Sequence, residues 1–192
     1  MAATVSWTKK LEVIRHYNAI ADIYDRRYLA EQNVKIRTAL VHTDLRGRSF
    51  ILDVGCGTGI LFDHLKDSGI VQVGIDIAKK ILKKVTERES YSVKVNIVLA
   101  DADYMPFPNG IFDMVFAITL LQNLPKPEKT LKEIIRVSKP DATIIVTGLK
   151  KKFSLESFIK ILGDSGLNIR LLKDSGELKD FIAICTVGHG TG

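Results

Sequence analysis

Cysteine is scarce: the 192 residues hold two, Cys56 and Cys185, far apart and outside any CxxC or His/Cys spacing. That argues against a disulfide framework or a zinc site and leaves reduced thiols without a metal-ligand role as the expectation. Histidine is sparse too. His16, His42, His64 and His189 are scattered and promise no metal-binding or catalytic cluster. No apolar run nears a bilayer span; MVFAITLL, from Met114 to Leu121, is among the longest. The N-terminus MAATVSWTKK lacks the apolar core of a signal peptide. A cytoplasmic protein without a membrane partner is therefore expected. Repeats and low-complexity linkers are absent, and with 46% hydrophobic and 26% charged residues the chain suits one domain, 1–192, better than two. Aromatic residues make up 7%. The basic clusters at Arg26–Arg27 and Lys150–Lys152 thus lack the interleaved rings of a nucleobase platform and read as solvated surface, although a net charge of +6 favours contact with a polyanion.

What is present is an alternation. The first 45 or so residues are proline-free, and Leu11, Ile14, Ile20, Ile23 and Leu29 stand at helical spacing, so residues 1–48 are expected to form a helical cap. From residue 49 onward the pattern predicts strands near 49–54, 71–75, 94–99, 112–118 and 142–148, and helices near 58–68, 78–89, 128–138 and 154–163. Such alternation implies right-handed crossovers and a parallel sheet with helices on both faces. The last segments, GLNIRLLKD and ELKDFIAICTV, are separated only by SGE and predict a hairpin. The expected fold is α/β: a doubly wound, mostly parallel seven-stranded sheet ending in an antiparallel hairpin.

The stretch ILDVGCGTGI places glycines at 55, 57 and 59 where an apolar strand turns into a helix. Glycines there permit the tight turn and let a ligand approach the backbone. A dinucleotide fingerprint needs G-x-G-x-x-G, whereas this chain reads G-x-G-x-G, and Asp53 is ill placed beside a pyrophosphate. A second acid, Asp76, ends the second strand, where a carboxylate can accept from both ribose hydroxyls, though it also stands where it would cap the next helix. A third, Asp101, follows the third strand and shares its loop with Asp103. Acids at three successive strand ends suit a cationic, adenosine-bearing ligand.

In order and spacing, LDVGCGTG, GIDIA, LADADYMPF and FDMVFAITLLQNL resemble the motifs of the class I S-adenosylmethionine-dependent methyltransferases, of the type 11/25-like group. The segment HYNAIADIYDRRY is similar to one preceding the sheet in many members. The resemblance implies S-adenosylmethionine as cofactor, its methionine moiety surrounded by Asp53 and the backbone of Gly55, Cys56, Gly57, Thr58 and Gly59. It implies Asp76 at the ribose, Ile77 on the adenine face, and Asp101 with Ala102 at the adenine edge. Ala117 and Leu121 would line the sulfonium site, and Tyr17 and Tyr24 would close over the cofactor as lid residues. Asp113 reads as a surface strand residue outside the site. Where planar-nitrogen methylases carry N/D-P-P-Y/F, this chain has AITLLQNLP, with Gln122–Asn123 in place of a histidine pair found in many small-molecule enzymes. No catalytic base is assigned. With its short core and basic charge the chain resembles the minimal methyltransferase domains that work with a small zinc-binding activator subunit, which implies an RNA or translation-related protein substrate and such a subunit on the third-strand edge, or a second copy of the chain, as partner. A small-molecule methyltransferase and a catalytically silent cofactor-binding scaffold are the alternatives.

Overall fold

The structure, a computed structural model, describes residues 2–88 and 91–188, with side chains from Trp7 onward. His189 lies outside the described residues. Two helices, α1 (Ala2–Ile20) and α2 (Tyr24–Val41), are joined by a 3-10 turn at Ala21–Ile23. The alternation follows: β1 (Phe50–Val54), α3 (Ile60–Leu65), β2 (Val71–Asp76), α4 (Lys79–Lys83), β3 (Val95–Leu99), β4 (Phe112–Ala117), α5 (Pro127–Val137), β5 (Ser138–Leu149), α6 (Leu155–Asp164), β6 (Leu167–Lys173) and β7 (Asp180–Val187).

The strands form one seven-stranded sheet in the order β3-β2-β1-β4-β5-β7-β6. Strands β1 to β5 pair in parallel, and β7 inserts antiparallel between β5 and β6. The chain reverses its direction of progress between β1 and β4, so a crevice opens at their carboxyl ends. Both faces of the central strands are buried, as parallel strands covered on both sides require. On one face Leu52, Val54, Val115, Ala117, Ile144 and Val146 pack with Leu131, Ile134 and Val137 of α5 and with Phe158 and Leu162 of α6. On the other, Ile51, Met114, Phe116 and Ile145 pack with Ile36 and Ala39 of α2 and with Ile60, Leu61 and Leu65 of α3. Local signals start the later helices: Pro127 occupies the first turn of α5, and the Ser154 hydroxyl caps α6 by accepting from the Ser157 N–H at 3.1 Å.

The N-terminal segment is a cap only in part. Helix α1 buries just Lys10 and Ile20 of its described side chains and crosses the carboxyl end of the sheet, whereas α2 carries a buried stripe of Tyr24, Gln32, Ile36 and Ala39 and belongs to a helix layer. The 58–68 helix shrinks to six residues, because the turn before it runs through left-handed glycines as far as Gly59. The 78–89 helix keeps its α form only over Lys79–Lys83 and tightens to 3-10 at Lys84–Glu87; residue 89 lies outside the described residues. Strand β5 begins earlier than expected through a bulge: Phe112 pairs with Ser138, but Met114 already pairs with Thr143. The excess residues include Pro140, which has no N–H to give a ladder.

That bulge delivers Lys139 to Asp113, which is not the surface residue expected from sequence. Asp113 is buried, accepts from the Ser49 and Phe50 N–H groups (3.0 and 2.9 Å) and pairs with Lys139 at 2.6 Å. It ties the amino ends of β1, β4 and β5 together. Burial opposes its charge, but Lys139 and the two N–H donors outweigh burial and hold its carboxyl below the ordinary value of 3.8.

Candidate active site

The glycine turn hangs from the end of β2: the Gly55 and Cys56 N–H groups both donate to the Ile75 carbonyl, at 2.8 and 2.9 Å. At Gly55, φ is +78°, and a Cβ would lie 3.0 Å from Leu120 Cδ1. Glycine therefore serves both the left-handed backbone and the close approach of the opposite wall. Behind the turn, the Thr58 hydroxyl donates to Asp25 (2.6 Å), and Arg88 donates to the Thr58 carbonyl, Asp25 and Asp63. A half-buried guanidinium thus fixes the turn against α2 and α3.

Asp76 accepts from the Gly57 N–H at 3.0 Å and from the Ala78 N–H at 2.8 Å. Its capping role is real, and each carboxylate oxygen still has an acceptor site toward the cleft. Burial raises its pKa, opposed by the N–H groups of Ala78, Gly57 and Ile77. Asp53, 5% exposed, has no hydrogen-bond partner among the described residues. Burial, with the Asp76 charge nearby, pushes it up to about 8. The two acids of the third loop divide the work. Asp103 is buried, accepts from the Thr130 hydroxyl and from Lys10 (2.5 Å), and braces the loop; Asp101 lines the cleft and takes the same ammonium at 2.6 Å. Burial alone would lower the pKa of Lys10, but the hydrogen bonds and charges of Asp101 and Asp103 outweigh it and hold the ammonium above the ordinary lysine value.

Two cavities share Gly55 and Gly57 of the turn. The larger is a cleft lined by Gly55, Gly57, Ile75, Asp76, Ile77, Ala100, Asp101 and Ala102 on the β1–β3 side, and by Ile118, Thr119, Leu120, Asn123 and Leu124 after β4. Helix α1 closes it with Lys10, Val13 and Tyr17, and Tyr24 of α2 reaches in beside them. The Tyr17 hydroxyl accepts from the Asn123 amide at 2.9 Å, and the same amide donates to the Thr119 carbonyl at 2.9 Å. The smaller cavity is walled by Asp53, Gly55, Cys56, Gly57, Thr58, Ile118, Tyr24, Gln32 and Ile36. Burial raises the hydroxyl pKa of Tyr17 and of Tyr24.

Of the fourteen residues expected at the site, eleven line one of these cavities. Gly59 starts α3 beside them, where a Cβ would come within 2.9 Å of Phe62. Ala117 and Leu121 correct the expectation: both are fully buried in the core facing α5, and Ile118, Thr119 and Leu120 take the wall instead. Ala117 shares the parity of Val115, and Leu121 opens a 3-10 turn that faces inward. Of the Gln122–Asn123 pair, Asn123 reaches the cleft while Gln122 Oε1 is buried without a partner. The sequence reading missed Lys10, Val13, Gln32 and Thr119.

A family model described as a methyltransferase domain, type 11, matches residues 52–146, the stretch that builds the glycine turn, all three acidic loops and β4. The chain belongs to the class I S-adenosylmethionine-dependent methyltransferases. A curated methyltransferase relative, the ubiquinone biosynthesis O-methyltransferase of Methylococcus capsulatus, is 32% identical over 136 residues, covering 68% of this chain and 55% of its own length. The chain spans between 31% and 55% of the length of this and other curated relatives. Two solved methyltransferase structures share the fold. A chain from the complex of the Haloferax volcanii Trm112 methyltransferase activator with a methyltransferase has a TM-score of 0.79 and 16% identity, with 92% of this chain and 97% of that one covered. The magnesium protoporphyrin IX methyltransferase of Synechocystis, solved with bound S-adenosylmethionine, has a TM-score of 0.75 and 19% identity, with 94% and 97% covered. S-adenosylmethionine is the cofactor that these methyltransferase likenesses support. Among the described residues, no helix is long and apolar enough to cross a membrane.

Proposed function

We propose that the protein transfers the methyl group of S-adenosylmethionine to an RNA or a translation-related protein, with an activator subunit seated on the β3 edge. The residues fit the cofactor. A buried carboxyl without a partner calls for a cationic group, which Asp53 would find in the ligand's ammonium. Asp76 lines the cleft with acceptor sites that would take the ribose diol, Ile77 and Ala102 would offer apolar surface to the adenine, and Asp101 would address its edge. When bound, the cofactor supplies an electrophilic methyl on a sulfonium that is its own leaving group. The chain's part is to orient the acceptor and exclude water: Ile118, Leu120, Leu124 and Val13 make the apolar wall, and Tyr17 with Asn123 gives it a polar point.

The observation that carries the partner is the bare edge of the sheet. Strand β3 is outermost, Leu99 on it is 54% exposed, and Val93 just before it is 98% exposed. Lys94, the residue that would guard this edge, is turned onto the Gly69 carbonyl at 3.0 Å. An exposed apolar edge invites a strand from another chain, and the similar fold from Haloferax volcanii was solved with an activator. The second reading, a small-molecule methyltransferase, is favoured by the closure of the cleft under α1 and by the ubiquinone-pathway relative. The test is transfer of tritium from labelled cofactor to total RNA, to a ribosomal protein fraction and to small-molecule extracts, with and without a co-purified partner. Partner-dependent label in RNA or protein is expected. Label only in small molecules moves the assignment to the second reading, and label nowhere leaves a cofactor-binding scaffold.

A further inference from the structure

The smaller cavity is where the polar chemistry of the site is incomplete. Asp53 forms one wall, and Gln32, projecting from α2 with 5% exposure, stands on another. The orientation of the Gln32 amide follows from its neighbours. The Lys35 ammonium lies 3.1 Å from Thr119 Oγ1, and an ammonium has only donors, so that oxygen accepts. The single Thr119 hydroxyl proton therefore points to its other neighbour, 3.0 Å away, which must be an acceptor and is Gln32 Oε1. Gln32 Nε2 is left with both protons and no partner among the described residues.

This arrangement is held from behind. Thr119 is the one non-glycine residue with positive φ among the described residues, at +59°, a costly conformation for a β-branched side chain. Its N–H donates to the buried Thr147 hydroxyl (2.8 Å), and its carbonyl accepts from Asn123. Lys35, 2% exposed, is paired with the fully buried Asp180 at 2.6 Å and with Glu31 at 2.9 Å. A cavity that presents an unpartnered acid on one wall and an unpartnered N–H donor on another is complementary to a zwitterion, with its ammonium toward the acid and its carboxylate toward the amide.

We propose that Gln32 binds the α-carboxylate of the cofactor's amino-acid end opposite Asp53, with Lys35 and Thr119 as positioning residues that fix its amide. The proposal rests on the methyltransferase reading and concerns only which residue reads the carboxylate. Calorimetric titration of the full chain with S-adenosylhomocysteine and with decarboxylated S-adenosylmethionine tests it. Gln32→Leu should weaken the first about tenfold and leave the second unchanged, the loss of one hydrogen bond to a charged group. Gln32→Glu should weaken S-adenosylhomocysteine further yet bind the decarboxylated cation at least as tightly as wild type, an inversion that a folding defect cannot mimic. Thr119→Val should reproduce part of the Gln32→Leu selectivity, and Thr119→Ser should restore it. Equal losses for both ligands, or none for either, overturn the proposal. Wild type that binds neither ligand overturns the cofactor reading on which it stands.

Discussion

Asp53 and Asp113 sit on adjacent strands of one sheet, both nearly excluded from solvent, and they behave in opposite ways. Asp113, at the amino end, has two backbone donors and a lysine and titrates below the ordinary range. Asp53, at the carboxyl end, has no hydrogen bond among the described residues and is pushed up to about 8. Both are shielded from solvent, but Asp53 lies deeper and has no donor among the described residues to offset its burial, whereas Asp113 lies nearer the end of the sheet and has three. At Asp113 the fold supplies the carboxylate's partners, and at Asp53 it leaves them out.

The largest test of that contrast is Asp113→Ala. Stranding two N–H groups and Lys139 should cost about 3 kcal/mol in denaturant unfolding while leaving cofactor affinity of the folded protein unchanged. Asp76→Ala should do the reverse: affinity for S-adenosylhomocysteine falls by about 30-fold in calorimetry, and stability falls by less than in Asp113→Ala. If the two variants lose stability equally and binding not at all, the two ends of the sheet do not differ in kind. A subtler test is pH. Because folding raises the pKa of Asp53, the native state keeps a proton that the unfolded chain has released, so stability should fall as pH rises from about 4 toward 8. Asp53→Asn should remove that slope, and cofactor binding by wild type should tighten through the same range as Asp53 ionises. Asp113 acts with the opposite sign: its contribution is full above the unfolded carboxylate value and is lost as pH falls through its lowered native value. The smallest expected change is Val93→Lys, which should shift stability by no more than about 0.5 kcal/mol yet abolish co-purification of a partner on the β3 edge.

Much of this was legible in the sequence because strand, turn and acid are close together along the chain. The spacing of Asp53 from the glycines, and the place of Asp76 at the end of an apolar run, are local facts. What failed was whatever depends on parity or on distant helices. Ala117 and Leu121 were misplaced because the wall of the cleft begins one residue past the strand, where the chain turns through the left-handed Thr119. No local pattern announces a threonine in that conformation; its anchors come from Lys35 and Thr147. Lys10 could not be found from its own helix, since its partners lie 91 and 93 residues away. Gln32 did leave a trace. Tyr24, Tyr28, Gln32 and Ile36 recur at four-residue steps, and a polar amide on an otherwise apolar stripe marks a place where the helix faces something other than core.

Helix α1 holds its position across the cleft through a few discrete ties: Lys10 to the two acids, Lys9 to the Leu124 carbonyl, Tyr17 to Asn123, and Asn18 to the Lys80 N–H. If a nucleoside enters or leaves beneath α1, these are the ties it would break, for spent cofactor as for fresh. Turnover is then expected to follow the pace of a hinge rather than of a bond. The firmest tie, Lys10 with its two acids, is buried and so is screened little by salt; Lys10→Met, not added salt, is the change expected to quicken release.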